Sequence, residues 1–95
     1  MREYELVLVA NSDLDETALN DLITKVKNWI SDGNGEVSKV DLWGKRKLAY
    51  PIKHFAEGYY VLMKIRVEPT LCKQLEASLR ISEDVLRHLL TKPES

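Results

Sequence analysis

Apolar residues recur along the chain with two different periods. Tyr4, Leu6, Leu8 and Ala10 alternate with Glu3, Glu5, Val7 and Val9. This predicts a strand with one apolar face and one mixed face. Asn11-Ser12-Asp13 reads as a turn. Asp13 or Asp15 then supplies a helix N-cap, with Glu16 favourable to the dipole in the first turn. Leu19, Leu22, Ile23, Val26 and Ile30 follow at helical spacing, flanked by Trp29. Asp32-Gly33-Asn34-Gly35 stops this helix, and a glycine is expected to take the left-handed cap.

A long second strand is predicted from Glu36 to Tyr50, ended by Tyr50-Pro51 because proline lacks a donor. Within it Val40 and Leu42 share a parity that Val37 and Trp43 break, which predicts a bulge or an edge position. Residues 51–58 read as a loop. Tyr59 to Val67 alternates strictly, with Tyr59, Val61, Met63, Ile65 and Val67 on one face and Tyr60, Leu62, Lys64 and Arg66 on the other. Glu68-Pro69 opens a second helix with proline at its permitted first position, and Leu71, Cys72, Leu75 and Leu79 form its stripe. A short strand from Asp84 to Thr91 closes the series.

The order βαββαβ is the split βαβ, or ferredoxin-like, plan of the α+β class. Right-handed crossovers place both helices on one face of a four-stranded antiparallel sheet and leave the other face open. The first and third strands become central neighbours. Val61, Met63 and Ile65 are then expected beneath the helices with Leu6, Leu8, Leu22, Val26 and Leu75. The length of 95 residues suits one domain, expected over residues 1–92, with 93–95 as a C-terminal tail.

Composition narrows the class. The single cysteine, Cys72, cannot close an internal disulfide and fits a reducing compartment. No apolar run approaches a membrane span, and the first residues do not resemble a secretory signal. A net charge of -1 argues against a generic polyanion binder. The charge is nevertheless divided: residues 1–36 hold three basic and eight acidic residues, and residues 37–92 hold eleven basic and six acidic. Contact with nucleic acid must therefore be local.

The most informative stretch is Leu42 to Ile52, where Lys45-Arg46-Lys47 stands between Trp43 and Tyr50. A solvated loop has no need of so many large apolar groups, and a core strand has no room for three adjacent charges. Strand geometry sends Arg46 to one face and Lys45 and Lys47 to the other. Leu42, Leu48 and Ile52 are expected to anchor the segment below. The plain reading is a solvated charge run, or an edge strand guarded by lysines against aggregation. Flanked by Trp43 and Tyr50, the run could instead grip a polyanion along the strand edge or tip, where cations hold phosphates and position a protein without reading sequence.

Other chemistry is missing. His54 and His88 lack companions at ligand spacing, and Cys72 reads as a small hydrophobe in a helical stripe. No nucleophile, anion loop or paired carboxylate forms a catalytic constellation, so neither enzyme activity nor a cofactor, metal or small-molecule substrate is expected. Glu57-Gly58-Tyr59-Tyr60-Val61-Leu62-Met63 superficially matches the third-strand motif of RNA-recognition domains. It departs from that motif in having Glu57 where a cation is wanted. Glu3 and Glu5 are also expected to lie across from Arg66 and Lys64, making the sheet face a poor stacking platform. Tyr59 is therefore assigned to the core, and Tyr60 to packing or partner contact.

The run W-G-K-R-K-L-A-Y-P-I, followed by Glu57-Gly58-Tyr59-Tyr60, closely resembles the bacterial ribosomal protein S six (S6) family of the small subunit. The likeness extends from Met1-Arg2-Glu3-Tyr4-Glu5 to Leu86-Arg87-His88-Leu89-Leu90. It implies the same fold, a structural role in the ribosome, and contact with the central domain of small-subunit ribosomal RNA. It further implies a heterodimer partner, ribosomal protein S eighteen (S18), and a cytoplasmic or organellar ribosome. Lys45, Arg46, Lys47, Arg2, Arg87 and Lys92 are the expected RNA contacts. Trp43, Leu48, Tyr50 and Tyr60 are the expected partner contacts. The alternative is a ferredoxin-like protein-interaction or small-ligand regulatory module using the open sheet face.

Overall fold

The computed structural model describes residues 2–92. Its elements are β1 (Arg2–Asn11), α1 (Glu16–Asp32), β2 (Glu36–Ile52), β3 (Phe55–Val67), α2 (Pro69–Ile81) and β4 (Val85–Thr91). The four strands form one antiparallel sheet in the order β2-β3-β1-β4, so β1 and β3 are central and β2 and β4 are the edges. This is the ferredoxin-like plan expected from the periodicity. The expected tail, residues 93–95, lies outside the described residues.

Local signals account for the element ends. Asp15, not Asp13, caps α1: its side chain accepts from the Ala18 amide at 2.7 Å. At the other end the expected left-handed glycine is replaced by asparagine. Gly33 has φ −89°, while Asn34 takes φ 64°. Asparagine tolerates this region better than other residues with a Cβ, and the Gly35 amide then closes on the Ile30 carbonyl at 2.8 Å. Pro69 begins α2, where its missing donor costs nothing.

One core lies between the helices and one sheet face. Leu6, Leu8, Val61, Met63, Ile65 and Val67 from the central strands meet Val26 and Ile30 of α1 and Leu75 and Leu79 of α2. Tyr4 is buried beside them, and Cys72 is partly buried against the cluster. Burial and the neighbouring Cys72 thiol raise the Tyr4 phenol above its usual pKa.

The expectation of a wholly open second face is corrected at one end. Val9 points away from the helices, yet it is buried with Leu48 and Leu86 in a second cluster that Ile52, Phe55 and Tyr60 border. This is possible because the β2–β3 hairpin is longer than periodicity indicates. Strand pairing continues to Ile52–Phe55, in place of the loop expected over 51–58. Lys53 and His54 make a two-residue connection with φ 50° and 72°. Positive φ at both central residues is the signature of a type I′ turn, whose twist suits a hairpin. Its usual residues, Asn-Gly, are absent here, so the sequence does not announce the turn. The projecting arm bends across the end of β1 toward β4. Gly58 permits the approach: a Cβ there would stand 2.6 Å from a Val9 methyl and 3.1 Å from the Ala10 carbonyl oxygen.

Truncating Ile65, which is buried near the end of β3, should lower stability by about 2–5 kcal/mol. Chemical denaturation of Ile65→Ala measures this. A loss of only a few tenths would mean that the strand's faces are reversed.

Candidate nucleic-acid and partner interface

The site is organised by irregularities in β2. Ser38 is an extra residue between Val37 and Lys39, and its hydroxyl donates to the Lys64 carbonyl at 3.1 Å. This bulge brings Val37 and Val40 to the same face despite their odd spacing. A second bulge places Trp43 as the extra residue between Leu42 and Gly44. Gly44 there has φ 87°, a conformation that strains any residue with a Cβ. The expected bulge and the expected edge position are both present.

The second bulge turns Trp43 onto the face away from the helices. Its ring stacks on Tyr60 with centroids 6.4 Å apart and planes 9° from parallel. Arg46 lies on the same face, opposite Gly58, with its guanidinium carbon 5.7 Å from the Trp43 ring centre. Lys45 and Lys47 lie opposite Tyr59 and Glu57, and the Lys45 amine sits 5.3 Å from the Tyr59 ring centre. Cation–π contacts at such exposed sites contribute about 0.5–1 kcal/mol each. They orient the cations and leave their charges in solvent.

Arg87, from the opposite edge, reaches this region because the arm crosses to it. Its Nη1 donates to the Tyr50 hydroxyl oxygen at 3.1 Å. Lys45, Arg46, Lys47 and Arg87 thus gather at the end of the sheet where β1 finishes. Arg2 and Lys92 do not join them: Arg2 starts β1 opposite Val67, and Lys92 follows Thr91, the partner of Glu5. At about 3.3 Å per residue, Arg2 lies roughly 30 Å from that end along β1, and Lys92 lies roughly 17 Å from Arg87 along the last strand.

The four aromatic and aliphatic candidates divide in the same way. Trp43 and Tyr50 are 45% and 59% exposed, and Leu42, expected as an anchor, is 56% exposed. Exposed to this degree, Leu42 does not act as an anchor. Leu48 is only 8% exposed and belongs to the cluster with Val9 and Leu86. Its side chain closes the arm and is not presented to a partner. Tyr60 is half-buried between Trp43 and that cluster. Glu3 and Glu5 do lie opposite Arg66 and Lys64. Arg66, however, pairs with Glu36 at 3.3 Å on its other side. Among the described residues, no group of three or more His, Cys, Asp or Glu could hold a metal, and no helix is long and apolar enough to cross a membrane.

The sequence model of the family Ribosomal protein S6 matches residues 3–92. The chain belongs to the ribosomal protein S6 family. The small ribosomal subunit protein bS6 of Clostridium perfringens is 47% identical over 94 residues, covering 99% of each chain. That of Moorella thermoacetica is 42% identical over 94 residues, covering 99% of this chain and 96% of its own. The crystal structure of 30S ribosomal protein S6 from Thermotoga maritima superposes with a TM-score of 0.90 at 29% identity, over 97% of this chain and 87% of that one. The S6 fold is therefore retained despite extensive substitution.

Replacing Leu48 with alanine should cost about 2 kcal/mol, near the low end for a buried leucine because its cluster borders solvent. Thermal denaturation reads the loss. A neutral effect would mean that the arm is not closed on Val9 and Leu86.

Proposed function

We propose that this S6-family chain is a structural component of the small ribosomal subunit that binds the central domain of its RNA together with S18. The observation that carries the reading is the Lys45-Arg46-Lys47 run. It lies exposed on an edge strand, with Lys45 and Arg46 aligned by aromatic rings and none of the three charges in an ion pair among the described residues. Three free cations on a rigid strand match the spaced charges of a phosphate backbone. Arg87, brought to the same end by the arm, extends the contact. Arg2 and Lys92 form a separate point of contact at the far end of β1.

The partner surface in this reading is the exposed pair Trp43 and Tyr50, with Tyr60 supporting Trp43 from behind. Large aromatic side chains with a polar tip are favoured at interfaces. A partner protein that covers them also stands beside the cations. RNA binding and partner binding then share one edge, and each lowers the cost of the other by a reciprocal coupling free energy. The chain has no role as an enzyme in this scheme and needs no cofactor. Its place is on a ribosome, in the cytoplasm or an organelle.

Substituting Lys45, Arg46 and Lys47 together with alanine should weaken binding to a central-domain RNA fragment. The salt slope should fall by roughly 1 for each phosphate no longer neutralised, while the fold is kept because all three side chains are exposed. Binding curves across a salt series, with and without S18, provide the measurement. An unchanged RNA slope with slower partner association would reassign the cations to the rim of the protein interface. Failure of the chain to co-sediment with small subunits would favour a regulatory module instead.

A further inference from the structure

A second concentration of positive charge is built where the arm ends. The turn residue Lys53, Arg80 in the last turn of α2, and Arg87 and His88 of β4 line a depression floored by Leu79, Val85 and Leu86. Arg80 and β4 are close in sequence, but Lys53 lies 27 positions before Arg80, and only the bend of the arm brings it to them. Among the described residues no acidic side chain lines the depression; Glu83 and Asp84 sit in the connection before β4, outside it. Lys39 pairs with Asp41 and Arg66 with Glu36 on other parts of the sheet, and neither pair neutralises this cluster.

Two further features make the arrangement a built one. Lys53 and His54 hold φ 50° and 72° without being glycine or asparagine. Strained backbone of this kind concentrates at functional sites, where the surroundings enforce it. Asn-Gly would relax the turn and discard both side chains. In addition, the Arg87 guanidinium is held by the Tyr50 hydroxyl at 3.1 Å, leaving its other N–H groups to donate elsewhere. A fixed guanidinium is the donor best matched to a phosphate oxygen pair.

We propose that this depression is a phosphate seat for the RNA backbone, held by Lys53, Arg80 and Arg87 with His88 at its edge. The inference rests on the reading that the chain binds ribosomal RNA, and assigns a second anchoring point beyond the β2 run. Arg87 lies between the two, hydrogen-bonded to β2 through Tyr50 and lining the depression beside Lys53. A backbone that grips Lys45-Arg46-Lys47 and continues over the tip would meet the seat next. The seat exists only with the arm closed, so occupancy also favours closure.

The test compares salt dependence of binding to a central-domain RNA fragment for the unmodified chain, for K53N/R80A and for K45A/R46A/K47A. Asparagine accepts the left-handed backbone at position 53, and Arg80 is exposed, so the double variant should keep its fold. Its salt slope should fall by roughly 2, one for each cation removed from a phosphate. Should the double variant fail to fold, K53N alone carries the test, with an expected fall of roughly 1. An unchanged slope in the K53N variants, with a flattened slope in K45A/R46A/K47A, overturns the seat and leaves RNA binding intact. No RNA binding by the unmodified chain overturns both.

Discussion

The packing of Leu48 on Val9 and Leu86 is the contact on which the proposed binding surface depends, because it joins the two edges of the sheet. β2 and β4 are separated by two strands, and nothing in the ladder of backbone hydrogen bonds brings them together. An apolar side chain near the end of a long hairpin does so by covering Val9, which would otherwise face water from the centre of the sheet. Hydrophobic burial is non-directional, so geometry must come from elsewhere. Gly58 supplies it by leaving room for Val9 beneath the bend, and the Lys53-His54 turn completes the tip. Tyr50 and Arg87 then meet as a polar contact above the apolar one.

The arm also reconciles exposed apolar groups with a free edge. An edge strand invites pairing with other chains, and adjacent lysines, bulges and bends are the usual defences. β2 has all of them: three consecutive cations, two register shifts before them and a curved tip. The same features direct Trp43 onto Tyr60 and hold Arg46 over the indole. Protection of the edge and presentation of the proposed binding surface are thus one construction.

Much of this is legible in the amino-acid sequence where a single period rules. Tyr59 to Val67 and the α1 stripe assign the core correctly because each alternates or repeats without interruption. The parity break between Val40 and Trp43 signals a bulge, although it does not say that two bulges cooperate. Four features escape because they depend on contacts between distant segments. Leu42 reads as an anchor, but only tertiary packing decides whether it is covered. The 51–58 stretch reads as a loop, since Lys-His is a poor type I′ sequence and its strain is met by tertiary packing. The run of Val7 and Val9 on the outer face gives a faint signal that something covers that face. The cover, Leu48, lies 39 positions away from Val9, and its assignment to a partner surface follows from its neighbours in sequence alone. Lys53 and Arg80 carry no local signal, because neither belongs to a charge run.

The closed arm is tested most directly by a double-mutant cycle between Leu48 and Leu86, each truncated to alanine singly and together. If the two side chains share a buried cluster, their effects on unfolding free energy will be non-additive, with a coupling of about 0.5–3 kcal/mol. A coupling within about 0.3 kcal/mol of zero, the range for distant independent sites, would mean that the arm stands away from β4 and that the joined edge described here does not exist.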